Sequence, residues 1–317
     1  MASLVIFGVF TTALSAGPSF ACMLVLRFLA GLGLGSLWSV VSAYIVETWP
    51  SESRGRAAAF VTSALPAGGV AAGVVSAWVL PDWRTLFLYG GISIAVPALL
   101  ILLCFRESAR WVEQRARHTR EKVALRNVFT AALRRSTILG TMMSALALTG
   151  FWGAMTWLPT YLTQERGLSA VSVAYLVAVL NAGMFVGYNA FGFLADRIDR
   201  RLTIFITLMG VAVIIPLYAT TRDHAALLWL GLLLGLCSAF FGIFASYLGE
   251  LFPTRVRSTG AGFCFNAGRG IAAIAPFGLA GISGLVGFGG GLIVCACLFA
   301  LAAIVVMMMP KSNACSG

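Results

Sequence analysis

Five stretches of this chain contain no Asp, Glu, Lys or Arg: 57–81, 85–105, 136–164, 167–195 and 202–221. An α-helix needs about 20 consecutive apolar residues to cross the hydrocarbon core of a bilayer, and each stretch meets that length. Composition agrees, with 60% of the 317 residues hydrophobic and only 10% charged, against roughly 25% charged in a soluble domain. The expected fold class is therefore an all-α, polytopic membrane protein. Ten spans are expected, near 2–16, 21–46, 57–80, 85–105, 137–163, 170–194, 203–221, 225–248, 258–280 and 287–309. The break between the last two is expected from Gly281, Gly284, Gly287 and the run Gly289-Gly290-Gly291. The apolar start lacks the positive n-region of a cleaved leader, so residues 2–16 read as a spanning helix.

The chain also repeats itself. Glu47-Thr48-Trp49-Pro50 with Arg54 returns 203 residues later as Glu250-Leu251-Phe252-Pro253 with Arg257, and Tyr44 and Phe60 match Tyr247 and Phe263 in the same register. A repeated helix pair joined by a short charged turn marks the internally duplicated architecture of transporters.

Positive charge sets the topology. With the N-terminus inside, seventeen Lys and Arg fall on the inner side and three, Arg84, Arg166 and Arg222, on the outer side. Both termini are then cytoplasmic. The expected organisation is an N-terminal bundle of four spans (1–105), a basic cytoplasmic loop (106–136) and a C-terminal six-helix bundle (137–317). The net charge of +11 lies at span ends and in that loop, which argues against nucleic acid as a partner and for the lipid surface. The cysteines lie in or beside apolar runs, apart from Cys315, and suggest neither a disulfide framework nor a metal pair at Cys295 and Cys297. Gly31, Gly33 and Gly35 lie within a span and serve helix packing, with no strand or Lys-Ser/Thr to make a phosphate loop. No catalytic cluster of His, Asp or Glu occurs within the spans, which argues against an enzyme.

Gly192-Phe193-Leu194-Ala195-Asp196-Arg197-Ile198-Asp199-Arg200-Arg201 resembles the loop Gly-x-Leu-Ala-Asp-Arg-x-Gly-Arg-Arg of the major facilitator superfamily, departing from it at Asp199. Arg27 with Gly31, Gly33 and Gly35 resembles a second family motif. Residues 106–111, Arg-Glu-Ser-Ala-Arg-Trp, resemble the sequence after the sixth helix in sugar-transporter-like members. The resemblance implies a two-bundle fold of twelve spans, so two spans and a first copy of the signature loop are expected upstream of Met1. It also implies a secondary transporter working by alternating access. The region from Glu250 to Arg269 resembles members that carry small organic acids with protons. Rival readings are a sugar:proton symporter, a drug or metabolite exporter, and an inactive truncated fragment. No cofactor is expected beyond a proton gradient, and the expected setting is a monomer in a bacterial inner membrane.

Charges inside spans are costly unless they face a cavity or a partner. Arg269, near the middle of its span with Asn266 one turn earlier, is the leading candidate to hold an anionic solute, since a guanidinium can bind a carboxylate bidentately. Arg27 is a second candidate or a snorkelling anchor. Asn181 and Tyr188, seven residues apart, either line a cavity or bond between helices. Trp157 either gates an outer mouth or belongs to an interfacial aromatic belt, and Trp38 is a weaker cavity candidate. The resemblance further implies that Asp196 meets the start of the third span near Gly55, that Arg200 bridges it to Glu250, and that Arg197 faces lipid. Together with Glu47, Arg54 and Arg257 these residues would form a cytoplasmic latch.

Overall fold

The computed structural model describes residues 2–50, 53–79, 82–104, 125–253 and 255–310, excluding several side chains within helices, among them those of Trp38, Glu47 and Arg54. Every regular element among them is helical: α1 (Ala2–Ala13), α2 (Phe20–Thr48), α3 (Arg54–Thr62), α4 (Ala64–Val79), α5 (Trp83–Ile92), α6 (Ala95–Cys104), α7 (Arg134–Gln164), α8 (Ala170–Arg197), α9 (Arg200–Thr220), α10 (His224–Cys237), α11 (Phe240–Glu250), α12 (Arg257–Ala272) and α13 (Ala275–Met307). Among the described residues, seven helical stretches are long and apolar enough to cross a membrane, and the shorter runs Ala2–Ala16 and Phe20–Gly35 are also apolar. One stretch, Arg257–Met307, is 51 residues long. At ~1.5 Å per residue it has the length of two crossings, matching the two spans expected there.

Several of the expected spans are broken helices. The interruptions between α3 and α4, α5 and α6, and α10 and α11 fall at Ser63, Ser93 and Ser238. These hydroxyls donate back to Phe60 O (2.6 Å), Gly90 O (2.9 Å) and Leu234 O (2.9 Å). A serine that back-bonds in this way competes with the helical ladder and bends the helix. Of the glycines expected to separate the last two spans, Gly287 makes the turn: its φ of +75° lies inside α13, a conformation costly for a residue with a Cβ.

The chain divides into two compact units. The first comprises Met1–Thr48 and Ala71–Lys122. In it α1 packs on α2 and α5, and Arg84 donates to Ser15 O at 3.0 Å. Asp82 caps α5, accepting from the amides of Arg84 (3.1 Å) and Thr85 (3.3 Å).

The second unit comprises Trp49–Val70 and Val123–Gly317. Here α7 packs on α12 and α13, α9 on α13, and α3 on α8 and α11. The α8–α10 pair crosses where Gly183, Gly187 and Gly235 face the backbone carbonyls of Leu232, Leu236 and Leu180. Such close approach between apolar helices is available only to residues without a side chain. The core is aromatic and aliphatic, with Phe240, Phe244, Phe299 and Tyr247 fully buried.

Candidate functional site

Charged side chains converge at the end of α8. The Asp196 carboxylate, 5% exposed, accepts the Arg56 backbone N–H at 3.0 Å and an Arg200 guanidinium N–H at 2.9 Å, with the Arg56 Nε 3.6 Å away. Arg56 is in the first turn of α3, so the carboxylate meets the positive end of a helix dipole. Arg200, 2% exposed, also pairs with Glu250 at the end of α11. One buried cation is thus neutralised by carboxylates from two helices, and one of those carboxylates holds the start of a third.

Local sequence explains this geometry. A Cβ on Gly55 would lie 2.8 Å from the Asp196 carboxylate carbon, so only glycine admits the carboxylate. Asp199 stands where the family loop has glycine, yet its φ of −162° is ordinary extended backbone, and its side chain caps α9 by accepting from the Arg201 amide at 2.7 Å. The substitution therefore exchanges a flexible turn for an N-cap. Arg197 turns away from the ion pairs and lies over the Phe193 ring at 4.1 Å, with Arg56 at 5.7 Å from the same ring. Arg257 donates to Phe252 O of its own turn at 3.4 Å and makes no bond to Asp196. The side chains of Glu47 and Arg54 lie outside the described residues. Arg56 had no motif to mark it, because its part depends on where α3 begins.

The solute-facing candidates are dispersed. Arg269, half-buried on α12, forms no hydrogen bond or ion pair with any described residue. Asn266 shares its face at i−3, is exposed, and donates to Gly262 O at 2.9 Å. Asn181 donates to Val177 O at 2.8 Å and points its amide oxygen at Gly69 of α4, where a Cβ would be 3.3 Å away. Tyr188 is fully buried beside Gly242, its hydroxyl without a partner among the described residues. Trp157 donates to Pro276 O at 2.9 Å and stacks on Phe288 with ring centroids 5.3 Å apart. In the first unit the Arg27 guanidinium lies 4.9 Å from the Phe87 ring centroid. The Trp38 side chain lies outside the described residues.

Long apolar helices with charges clustered at their ends are those of an integral membrane protein. A sequence profile described as Major Facilitator Superfamily matches residues 1–276. The cis,cis-muconate transport protein of Acinetobacter baylyi is 30% identical over 299 residues, covering 90% of this chain and 72% of its own length. A probable 4-methylmuconolactone transporter of Cupriavidus pinatubonensis is 30% identical over 308 residues, covering 93% of this chain and 70% of its own length. Among solved structures, the proton:xylose symporter XylE superposes with a TM-score of 0.78 over 99% of this chain and 81% of that one, at 17% identity. The chain belongs to the major facilitator superfamily. It is a transporter of small organic solutes, not an enzyme.

Proposed function

We propose that this transporter moves a small organic acid anion together with protons across a bacterial inner membrane, as a monomer with both termini in the cytoplasm. The observation that carries the reading is Arg269, a half-buried guanidinium within a span that pairs with none of the described residues. A cation in such a place is costly without a counter-charge, and a carboxylate solute supplies one in bidentate geometry. Asn266, on the same face, adds a hydrogen-bonding group beside it. The names of the two bacterial relatives support this class, since muconate is a dicarboxylate. The excess of Lys and Arg on one side supports the orientation.

In this reading the proton gradient is the energy source and no cofactor takes part. Solute binds between alternating inward- and outward-open states. The Asp196, Arg200 and Glu250 cluster, with Arg56 and the α3 terminus, latches the cytoplasmic side and releases on each cycle. Glu47, Arg54 and Arg257 are assigned to the same gating role, and Arg197 meets the lipid surface. Arg27, Asn181, Tyr188, Trp38 and Trp157 are assigned to the solute path.

The test is uptake of labelled cis,cis-muconate into proteoliposomes, with and without an imposed inward proton gradient and with xylose as the comparison solute. Gradient-dependent muconate accumulation without xylose accumulation is expected. Xylose accumulation without muconate would overturn the organic-acid reading.

A further inference from the structure

The end of α7 carries two adjacent residues of opposite charge, Glu165 and Arg166, whose side chains go to opposite kinds of helix terminus. The Glu165 carboxylate accepts from the backbone amides of Phe288 (Oε1) and Gly289 (Oε2, 3.1 Å). These are the first free amides after the break at Gly287, so the carboxylate caps the second segment of α13 from another helix. The Arg166 guanidinium donates to Ala219 O in the last turn of α9 and to the Tyr161 hydroxyl, which itself donates to Ala219 O at 2.7 Å. An anion thus sits at a positive helix end and a cation at a negative one, the favourable pairing for each dipole.

Gly287 makes the arrangement possible twice over. Its φ of +75° suits glycine, and a Cβ there would lie 2.9 Å from the Glu165 carboxylate. About two turns earlier on α7, Trp157 stacks on Phe288 and bonds Pro276 O. Phe288 is therefore held through its amide by Glu165 and against its ring by Trp157.

We propose that Glu165 and Arg166 are positioning residues of the transporter, tying the end of α7 to α13 and α9 and so fixing Trp157 against Phe288. Calling this end the outer mouth of the solute path rests on the orientation proposed above. The clamp itself does not, nor does it depend on which solute is carried.

The test needs no solute. In protein reconstituted in nanodiscs, Glu165→Gln, which removes the charge, should speed hydrogen exchange at the Phe288 and Gly289 amides roughly tenfold, as expected for losing a charge-assisted bond. Exchange in the α8 core should not change. With 5-fluorotryptophan incorporated, the 19F resonance assigned to Trp157 through Trp157→Phe should move in Glu165→Gln and in Arg166→Gln. A merely local cap would leave that resonance in place. Unchanged exchange at the two amides, or an unmoved Trp157 resonance in both variants, overturns the proposal.

Discussion

Asp196 accepts from a backbone amide and a buried guanidinium at once, and Gly55 makes room for it. Gly55→Ala should push the carboxylate away from α3 and lower transport at least about tenfold, the cost of one strong hydrogen bond. Gly270→Ala, where the added Cβ meets nothing within 4 Å, should leave uptake unchanged. Equal rates for both variants would show that the close fit at Gly55 is irrelevant. Asp82 offers a pH test in the loop before α5. The Thr85 hydroxyl and the Thr85 and Arg84 amides hold its carboxyl below its ordinary value of 3.8. A depressed value means that the cap contributes fully above that ordinary value and is lost as pH falls through the lowered one. Protection of the Arg84 and Thr85 amides, measured against their intrinsic exchange rates, should therefore persist at mildly acidic pH and be lost only as pH falls below 3.8. Much of the charged cluster was readable in the residues, since Asp196, Arg200 and Glu250 sit at motif positions. The resemblance also implies that Asp196 meets the start of the third span near Gly55, but not that the Arg56 amide is the donor, because a backbone donor announces itself only when the helix start is known.

Helices here are defined as much by their interruptions as by their lengths. The apolar runs mark where spans lie, but the bends at Ser63, Ser93 and Ser238 come from hydroxyls choosing a local carbonyl, a choice that hydropathy does not encode. The glycine-rich stretch from 281 to 291 suggests a wide break, yet the turn is made at Gly287 alone and the neighbouring glycines stay helical. The second segment of α13 is satisfied at both ends. Glu165 meets its start, while Arg135 (3.3 Å), Arg201 (2.8 Å) and Tyr247 (2.9 Å) donate to the carbonyls of Met308, Met309 and Pro310. Packing between helices gives a sharper prediction. Gly183 faces the Leu232 carbonyl across the α8–α10 crossing, so Gly183→Val should overpack it by about 1–3 kcal/mol. Thermal unfolding in detergent should fall by roughly 2–4 °C for each of those kcal/mol. An unchanged Tm would mean that the crossing tolerates separation.

For the transporter as a whole, the argument turns on where charge stands relative to the bilayer. Seventeen basic residues fall on one side of the expected topology and three on the other. A cysteine replacing Asp223 should accordingly react with a membrane-impermeant reagent from outside intact cells, whereas one replacing Ser53 should not. Two sets of charges in the second unit contrast. Asp196, Arg200 and Glu250 neutralise one another, while Arg269 stands apart from them. Position 66, which the 203-residue repeat aligns with Arg269, is proline. Glu250 thus has a counterpart in Glu47, whereas Arg269 has no charged counterpart, and under the proposed function it is Arg269 that serves this transporter's cargo. The most direct measurement is uptake of labelled cis,cis-muconate by Arg269→Ala and Arg269→Lys at matched membrane levels. Loss of uptake in Arg269→Ala by about a hundredfold, with partial recovery in Arg269→Lys, is the expected result for a bidentate carboxylate contact replaced by nothing or by a point charge. Wild-type uptake in Arg269→Ala would contradict it.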